Sequence, residues 1–294
     1  MSVWRVKPVS AFEADMKKND LKRVLTRWGL TSLGIGAIIG GGIFTLTGIA
    51  AHDYAGPALA LAFVIAGIGC LFASLCYAEF ASVLPVEGSA YAYAYGTVGE
   101  LFAWFIGWNL ILEYMMGATT VAVAWSGYFV KLLHLFGIEF PIWLCNDMAT
   151  ATEKSLAANL AAPSFAFNLP AFLITWVVTA ILVKGIKEAA KTNNIIVIIK
   201  IAVVLFVIIV GAFYVKTENW VPFIPDEIPA LDELGNATGK MNFGFGGVLT
   251  AATIVFFAYI GFDAVSTQAG EAINPKKDVP FAIVASLIIC TVLY

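Results

Sequence analysis

Charge is scarce in this chain: Asp, Glu, Lys and Arg together make up 13% of its 294 residues, about half the share of an ordinary globular protein. There are only two histidines and four cysteines. Cys70, Cys76 and Cys290 sit inside apolar runs and Cys145 in a polar joint, without a C-x-x-C pair, so they read as packing residues rather than metal ligands or a redox couple. No nucleophile–base set or metal constellation is visible, which argues against an enzyme and gives no reason to expect a cofactor. With a net charge of −3 and no long like-charge tract, nothing recommends a nucleic-acid partner. Residues 1–28 are too polar for a cleaved signal peptide.

What the chain has in excess is apolar residues. They make up 60% of it, against about 45–50% in soluble domains, and lie in runs long enough to cross a bilayer, separated by short polar joints. The class is an all-α membrane protein, a helix bundle embedded in lipid. Spans are expected near 29–51, 57–83, 98–130, 168–184, 194–215 and 246–270, and a seventh begins near Val279. The chain stops on the apolar string SLIICTVLY without a polar flank, so the expectation is an amino-terminal fragment of a longer protein rather than a complete short one.

Orientation follows from the basic residues, which are enriched in cytoplasmic joints. The first segment holds seven (Arg5, Lys7, Lys17, Lys18, Lys22, Arg23, Arg27), the joint after span four holds Lys184, Lys187 and Lys191, and the joint after span six Lys276 and Lys277. The opposite side holds Lys131, Lys154, Lys216 and Lys240 on much longer joints. The amino terminus is therefore expected inside, as a cytoplasmic tail. The joint PVEGSAYAYAYGTVGE lacks basic residues and reads as interfacial. Of the two long external joints, ATATEKSLAANLAA can form a short surface helix, and 216–241, punctuated by Pro222, Pro225 and Pro229, reads as a loop. Asn236-Ala-Thr238 matches a glycosylation sequon.

Two spans break the rules of a membrane helix. Span one contains Gly40, Gly41 and Gly42 in succession, each costing a helix about 1 kcal/mol relative to Ala. Unwound backbone is tolerated at membrane depth only where protein buries it or where it lines a cavity. The alternative is that Gly36 and Gly40, spaced G-x-x-x-G, let two helices approach. Span six repeats the irregularity in FFAYIGFDAVST, where Gly261 precedes Asp263. Paired Gly-interrupted spans in corresponding positions point to a transporter site at the membrane midplane.

Helix ends give such a site its chemistry. The N–H groups of Gly41, Gly42 and Ile43, with about half a positive charge from the dipole behind them, suit a carboxylate. Carbonyls released before the breaks, at Ile38, Phe257 and Ile260, suit an ammonium. Together they suit an α-amino acid, over which Phe257 is placed to close. Lys200 stands alone in NNIIVIIKIAVV; it either snorkels to the interface or bonds the carbonyls of the broken span and gains and loses a proton. Glu113 and Asp263 are candidates to take up a proton, to face a cationic substrate, or to hydrogen-bond inside the bundle. Glu79 reads as structural, and His52 and His134 have no assigned role.

The strings GIGAIIGGGIF, CYAEFASVLPVEGSAY and FFAYIGFDAVSTQAGEAINPKKDVP, with Lys200, resemble the amino acid–polyamine–organocation superfamily, and within it the bacterial cationic amino acid transporters. The resemblance runs from about residue 28 onward. It implies the leucine-transporter fold of two inverted five-span repeats, so that a tail (1–28) precedes a first repeat (29–215), an external loop (216–245) and the start of a second (246–294). It further implies substrate carboxylate on Gly41 and Gly42, the α-amino group on Ile38, Phe257 and Ile260, Phe257 as gate, and Lys200 in place of a sodium ion. Departures are Gly41, where relatives carry Ser or Thr, and Gly270-Glu271, where they carry two acids.

The function expected is secondary uptake of amino acids with protons across a plasma or inner membrane, spans one, two, six and seven moving against spans three and four. An exchanger of amino acids or amines, or a non-transporting fragment, are the alternatives. Oligomeric state is not encoded in any of these features.

Overall fold

A computed structural model of the chain describes residues 4–18, 23–184, 186–231 and 237–294; Asn236 of the sequon lies outside them. The chain divides into two compact units, residues 1–110 with 193–294, and residues 111–192. Helices α1 (Val9–Lys18), α2 (Arg27–Ile38), α3 (Gly42–Ala50), α4 (Leu59–Val83) and α5 (Ser89–Thr97) belong to the first unit. They are followed by α6 (Glu100–Leu135), α7 (Met148–Ala157), α8 (Leu169–Lys184) and α9 (Ile186–Ala212). Strands β1 (Ile228–Leu231) and β2 (Ala237–Asn242), then α10 (Gly244–Val255), α11 (Ala264–Thr267) and α12 (Pro275–Leu293), complete the first unit.

Among the described residues, four helical stretches are long and apolar enough to cross a membrane: Gly42–Val83, Glu100–Leu135, Lys191–Ala212 and Gly244–Thr267. Seven spans are expected from the sequence; the difference arises because the first is divided at its glycines and its second half runs on into α4. That junction is a π turn over Ala51–Ala55 and a 3-10 turn over Gly56–Ala58, not an extended loop. α2 has 12 residues, about 18 Å of helix, α8 is apolar but short, with 16 residues, and α12 opens on the polar string PKKD.

Small residues let the helices of the first unit approach. Gly67 of α4 faces Thr291 and the Tyr259 hydroxyl, where a Cβ would lie 2.9 Å and 3.1 Å from their atoms. Gly34 of α2 faces Ser286 of α12 and Val265 of α11. One core cluster joins Phe63 and Cys70 with Val248, Val255, Tyr259 and Leu287. A second joins Phe12, Leu30, Leu84 and Tyr93 with Val265 and Ile283. By contrast α9 turns Ile195, Ile198, Ile199, Phe206 and Ile209 outward, an apolar face of the kind that lipid covers.

Three segments differ from expectation. The tail contains α1, and its Phe12 is buried among residues of α2, α4 and α12, while main-chain bonds from Lys7 to the Tyr95 carbonyl and from Glu100 to the Arg5 carbonyl hold the same segment. The Ala/Tyr alternation of the interfacial joint folds as helix α5 and buries Ala92, Tyr93 and Ala94. The external segment read as a loop contains an antiparallel pair, with Ile228 opposite Asn242 and Pro229 opposite Met241. A two-stranded pair leaves each strand one outward side, which accommodates a proline without an N–H.

In the second unit the Ala-rich joint forms α7. Its cap, Asp147, accepts from the N–H groups of Ala149 and Thr150 at 3.0 and 3.1 Å, and hydrogen bonding, foremost to the Thr150 side chain, holds that carboxyl below the usual range. Asn168 donates to the Ser126 hydroxyl at 2.9 Å and fixes the start of α8 against α6.

Candidate functional site

The helix of span one stops at Ile38 and resumes at Gly42. In a continuous helix the Gly40 N–H would bond the Gly36 carbonyl; it turns instead to Ile38, at 2.8 Å. The first bonds of α3 run from Phe44 and Thr45 to the Gly41 carbonyl, at 3.2 and 3.0 Å. The N–H groups of Gly41, Gly42 and Ile43 therefore stand at the open end of α3.

Span six breaks in the same way. α10 gives way at Phe256 to a single 3-10 turn through Tyr259, and α11 begins only at Ala264. Gly261 sits at φ 111°, in the left-handed region open to glycine.

The two breaks touch each other. A Cβ on Gly42 would lie 2.7 Å from the Ala258 Cα, and one on Gly261 would lie 2.7 Å from the Ala37 carbonyl oxygen. Each break thus uses a glycine to admit the other span's backbone. Gly36, the other half of the G-x-x-x-G pair, has a different neighbour: it packs on Val197 and Asn193 of α9.

Lys200 of α9 reaches this point. Its Nζ donates to the Gly36 carbonyl at 3.0 Å and to the Ile39 carbonyl at 2.6 Å. These are the acceptors that a continuous helix would have offered to the Gly40 and Ile43 N–H groups. A lysine from another span replaces two helical bonds, and an ammonium satisfies more than one carbonyl at once.

Two of the three carbonyls expected to meet an ammonium already accept hydrogen bonds. Ile38 accepts from Gly40 and from the Tyr294 hydroxyl, the latter at 3.0 Å. Phe257 accepts from the Ile260 N–H at 3.3 Å. The Tyr294 hydroxyl also lies 3.1 Å from the Ala258 carbonyl, so one phenol spans both breaks. A carbonyl has two lone pairs, so Phe257 keeps one beyond its bond to Ile260, whereas both of those on Ile38 are engaged while Tyr294 donates to it. Sequence reasoning missed Tyr294; its only signal is a hydroxyl at the end of an apolar run. Tyr259, fully buried beside it, donates to the Phe63 carbonyl at 2.9 Å.

Phe257 and Ile260 are half-buried at the span-six break. Asp263 follows the break, is only 4% exposed, and its main-chain carbonyl accepts from the Ser266 N–H and hydroxyl at 2.9 and 2.6 Å. The structure thus brings Ile38, Gly40, Gly41, Gly42, Ile43, Phe257, Ile260 and Lys200 to the two breaks. Glu113 belongs to the second unit, half-buried on α6.

The segments that lead into span one and out of span six are joined by main chain. Val24 and Leu25 donate to the Glu271 carbonyl, and Ile273 donates back to Leu25, each at 2.9 Å. The result is a parallel bridge between Leu25 and Ala272. Arg27 adds an ion pair to the buried Asp278 at 3.2 Å, its guanidinium 4.7 Å from the centre of the Phe281 ring. Burial, and then the nearby Glu87, raise the Glu271 carboxyl above its ordinary value.

A family model described as amino acid permease matches residues 25–294. The chain is 49% identical over 294 residues to the branched-chain amino acid permease BcaP of Bacillus subtilis (strain 168), an alignment covering all of this chain and 57% of that protein. It is 45% identical over 293 residues to the methylthioribose transporter of the same organism, covering 58% of it. A plant relative, the chloroplastic cationic amino acid transporter 9 of Arabidopsis thaliana, is 36% identical over 280 residues, or 94% of this chain and 44% of that protein. The chain thus spans a little under three-fifths of the two bacterial relatives. These relatives are permeases and transporters rather than enzymes, and with a family match from Leu25 to Tyr294 behind them, the chain is a membrane-embedded member of the amino acid permease family.

Proposed function

We propose that the protein to which this chain belongs is a secondary transporter that takes up α-amino acids, binding them where spans one and six break. The observation carrying this reading is the reciprocal contact of Gly42 with Ala258 and of Gly261 with Ala37. It sets the N–H groups at the start of α3 beside carbonyls of span six, a positive and a negative helix terminus at one place. The carboxylate binds the Gly41, Gly42 and Ile43 amides. The ammonium takes the place of the Tyr294 hydroxyl on the Ile38 carbonyl, together with the second lone pair of the Phe257 carbonyl and the carbonyl of Ile260, and Phe257 closes over the side chain.

In this reading the fold is the leucine-transporter arrangement, with this chain supplying the first repeat and the start of the second, and the amino terminus cytoplasmic. Lys200 couples uptake to protons: its charge holds the span-one carbonyls, and loss of that charge frees the inner half of the span to move. Asp263 and Glu113 are further candidates for proton transfer.

A second reading has support of its own. A relative named for methylthioribose is nearly as similar as one named for branched-chain amino acids, and a thiosugar carries neither carboxylate nor ammonium. Competition between leucine and methylthioribose for uptake into vesicles holding the full-length protein separates the two. Repeating the assay with amino acid inside the vesicles separates net uptake from exchange.

The decisive variant is Gly42→Val in the full-length protein, with Gly48→Val as its control, since Gly48 faces open space on the same helix. Gly42→Val is expected to abolish amino acid binding while the protein still reaches the membrane, and Gly48→Val to leave binding intact. Binding that survives Gly42→Val would reduce the break to packing.

A further inference from the structure

A cavity of about 500 Å³ opens beside the main-chain bridge, lined by Arg23, Pro85, Ile273, Asn274, Pro275, Lys276 and Lys277. Three of these carry positive charge. Arg23 precedes span one, Lys276 and Lys277 begin α12, and the chain returns them to one another through the pairing of Leu25 with Ala272. Among the described residues none of the three has an ion-pair partner, and no acid lines the cavity. The acids of the same segment are placed elsewhere: Asp278 is buried and held by Arg27, and Glu271 is buried near Glu87.

Like charges gathered without a counter-charge repel, and a bound anion removes the cost. The local backbone adds to the pull. α12 starts with a proline and has no side-chain cap, and its positive dipole end opens at Lys276 and Lys277. Ile273 and the two prolines give the cavity apolar walls. Trp28, largely exposed next to Arg27, marks this end of the bundle as an interfacial depth where lipid head groups lie.

We propose that this cavity binds a phosphate-bearing anion, which bridges Arg23 to Lys276 and Lys277 and so reinforces the bridge between the inner halves of spans one and six. A phosphate accepts from arginine in bidentate fashion and from lysine as a point charge, which suits the mixed lining. A phospholipid head group and a free phosphate ester offer the same chemistry.

The test uses the full-length protein in neutral detergent, with phosphatidylglycerol, phosphatidylcholine and inorganic pyrophosphate as probes, and reads adducts by native mass spectrometry alongside the thermal midpoint. Phosphatidylglycerol or pyrophosphate is expected to bind and to raise the midpoint, and phosphatidylcholine is not. The double variant Lys276→Gln, Lys277→Gln should weaken the anion by about 30-fold, at about fivefold per charge; Arg23→Gln should weaken it too, and Lys276→Arg should keep it. Variant-sensitive binding of phosphatidylglycerol alone identifies a lipid site, and variant-sensitive binding of pyrophosphate a site for soluble phosphate. If neither probe binds, or if wild type and glutamine variants bind alike, the proposal is overturned. The readout needs no transport, so its failure leaves the amino acid site standing and the converse also holds.

Discussion

Spans five and six are both apolar, yet they do opposite work. In Lys191–Ala212 only 11% of the apolar window is buried within the chain, and in Gly244–Thr267 the figure is 56%. The span with the higher mean hydropathy is the less buried. In a membrane the core is not the most apolar place, because lipid tails satisfy apolar side chains as well as protein does. What protein alone can satisfy is broken backbone, so the glycines and buried hydroxyls gather in span six, while span five stays a continuous helix in which Lys200 is the one polar side chain between Ile195 and Ala212.

The largest expected effect would break span six where it depends on glycine. Gly261→Ala places a side chain at φ 111° and within 2.7 Å of the Ala37 carbonyl, a backbone cost of about 1–2 kcal/mol before the clash is counted. Uptake should fall to background, and a variant that retains more than a tenth of wild-type rate would show that the contact is not needed.

The next strikes the one residue of span five that serves the break. Lys200→Ala leaves the Gly36 and Ile39 carbonyls without their donor, at about 1–3 kcal/mol for each unsatisfied group. The thermal midpoint should drop and the pH dependence of uptake should disappear. An unchanged pH profile would strip Lys200 of its coupling role and leave it structural.

A smaller effect sharpens the comparison at the bridge between Leu25 and Ala272. Because the Glu271 carboxyl is raised from its ordinary 4.5 by burial and by Glu87, the folded state binds its proton more tightly than the unfolded chain. Its contribution to stability is complete below 4.5 and is lost as pH rises through the raised value. Glu271→Gln should flatten that fall, read as the thermal midpoint against pH, with the Arg27–Asp278 pair unaltered. The smallest effect belongs on the outward face of span five: Ile198, 68% exposed, should tolerate Val within about 0.5 kcal/mol, and a larger loss would mean that protein covers this face.

How much of this was legible depends on whether a side chain carries the information. Gly40, Gly41 and Gly42 announce a break because no sequence would place three costly residues inside a useful helix. Lys200 stands out as a lone charge in an apolar run. The bridge from Leu25 to Ala272 left no trace, since its bonds are main chain to main chain and any residue could make them. Tyr294 and Phe12 were hidden for another reason: an aromatic beside apolar or polar neighbours looks the same whether it anchors a contact or faces the surroundings. The β1–β2 pair was hidden by its own proline, which reads as loop until the strand is known to have a free side.

A phenol has a single hydrogen to give, and the oxygens of Ile38 and Ala258 both lie within its reach. The Ile38 oxygen also accepts from the Gly40 N–H, and Tyr294 can serve only one of the two at a time. In the function proposed above, a guest that brings three hydrogens on one nitrogen takes the Ile38 oxygen while Tyr294 serves Ala258, and that reading gives an unoccupied site a preference for an amine over a visitor with fewer protons to offer.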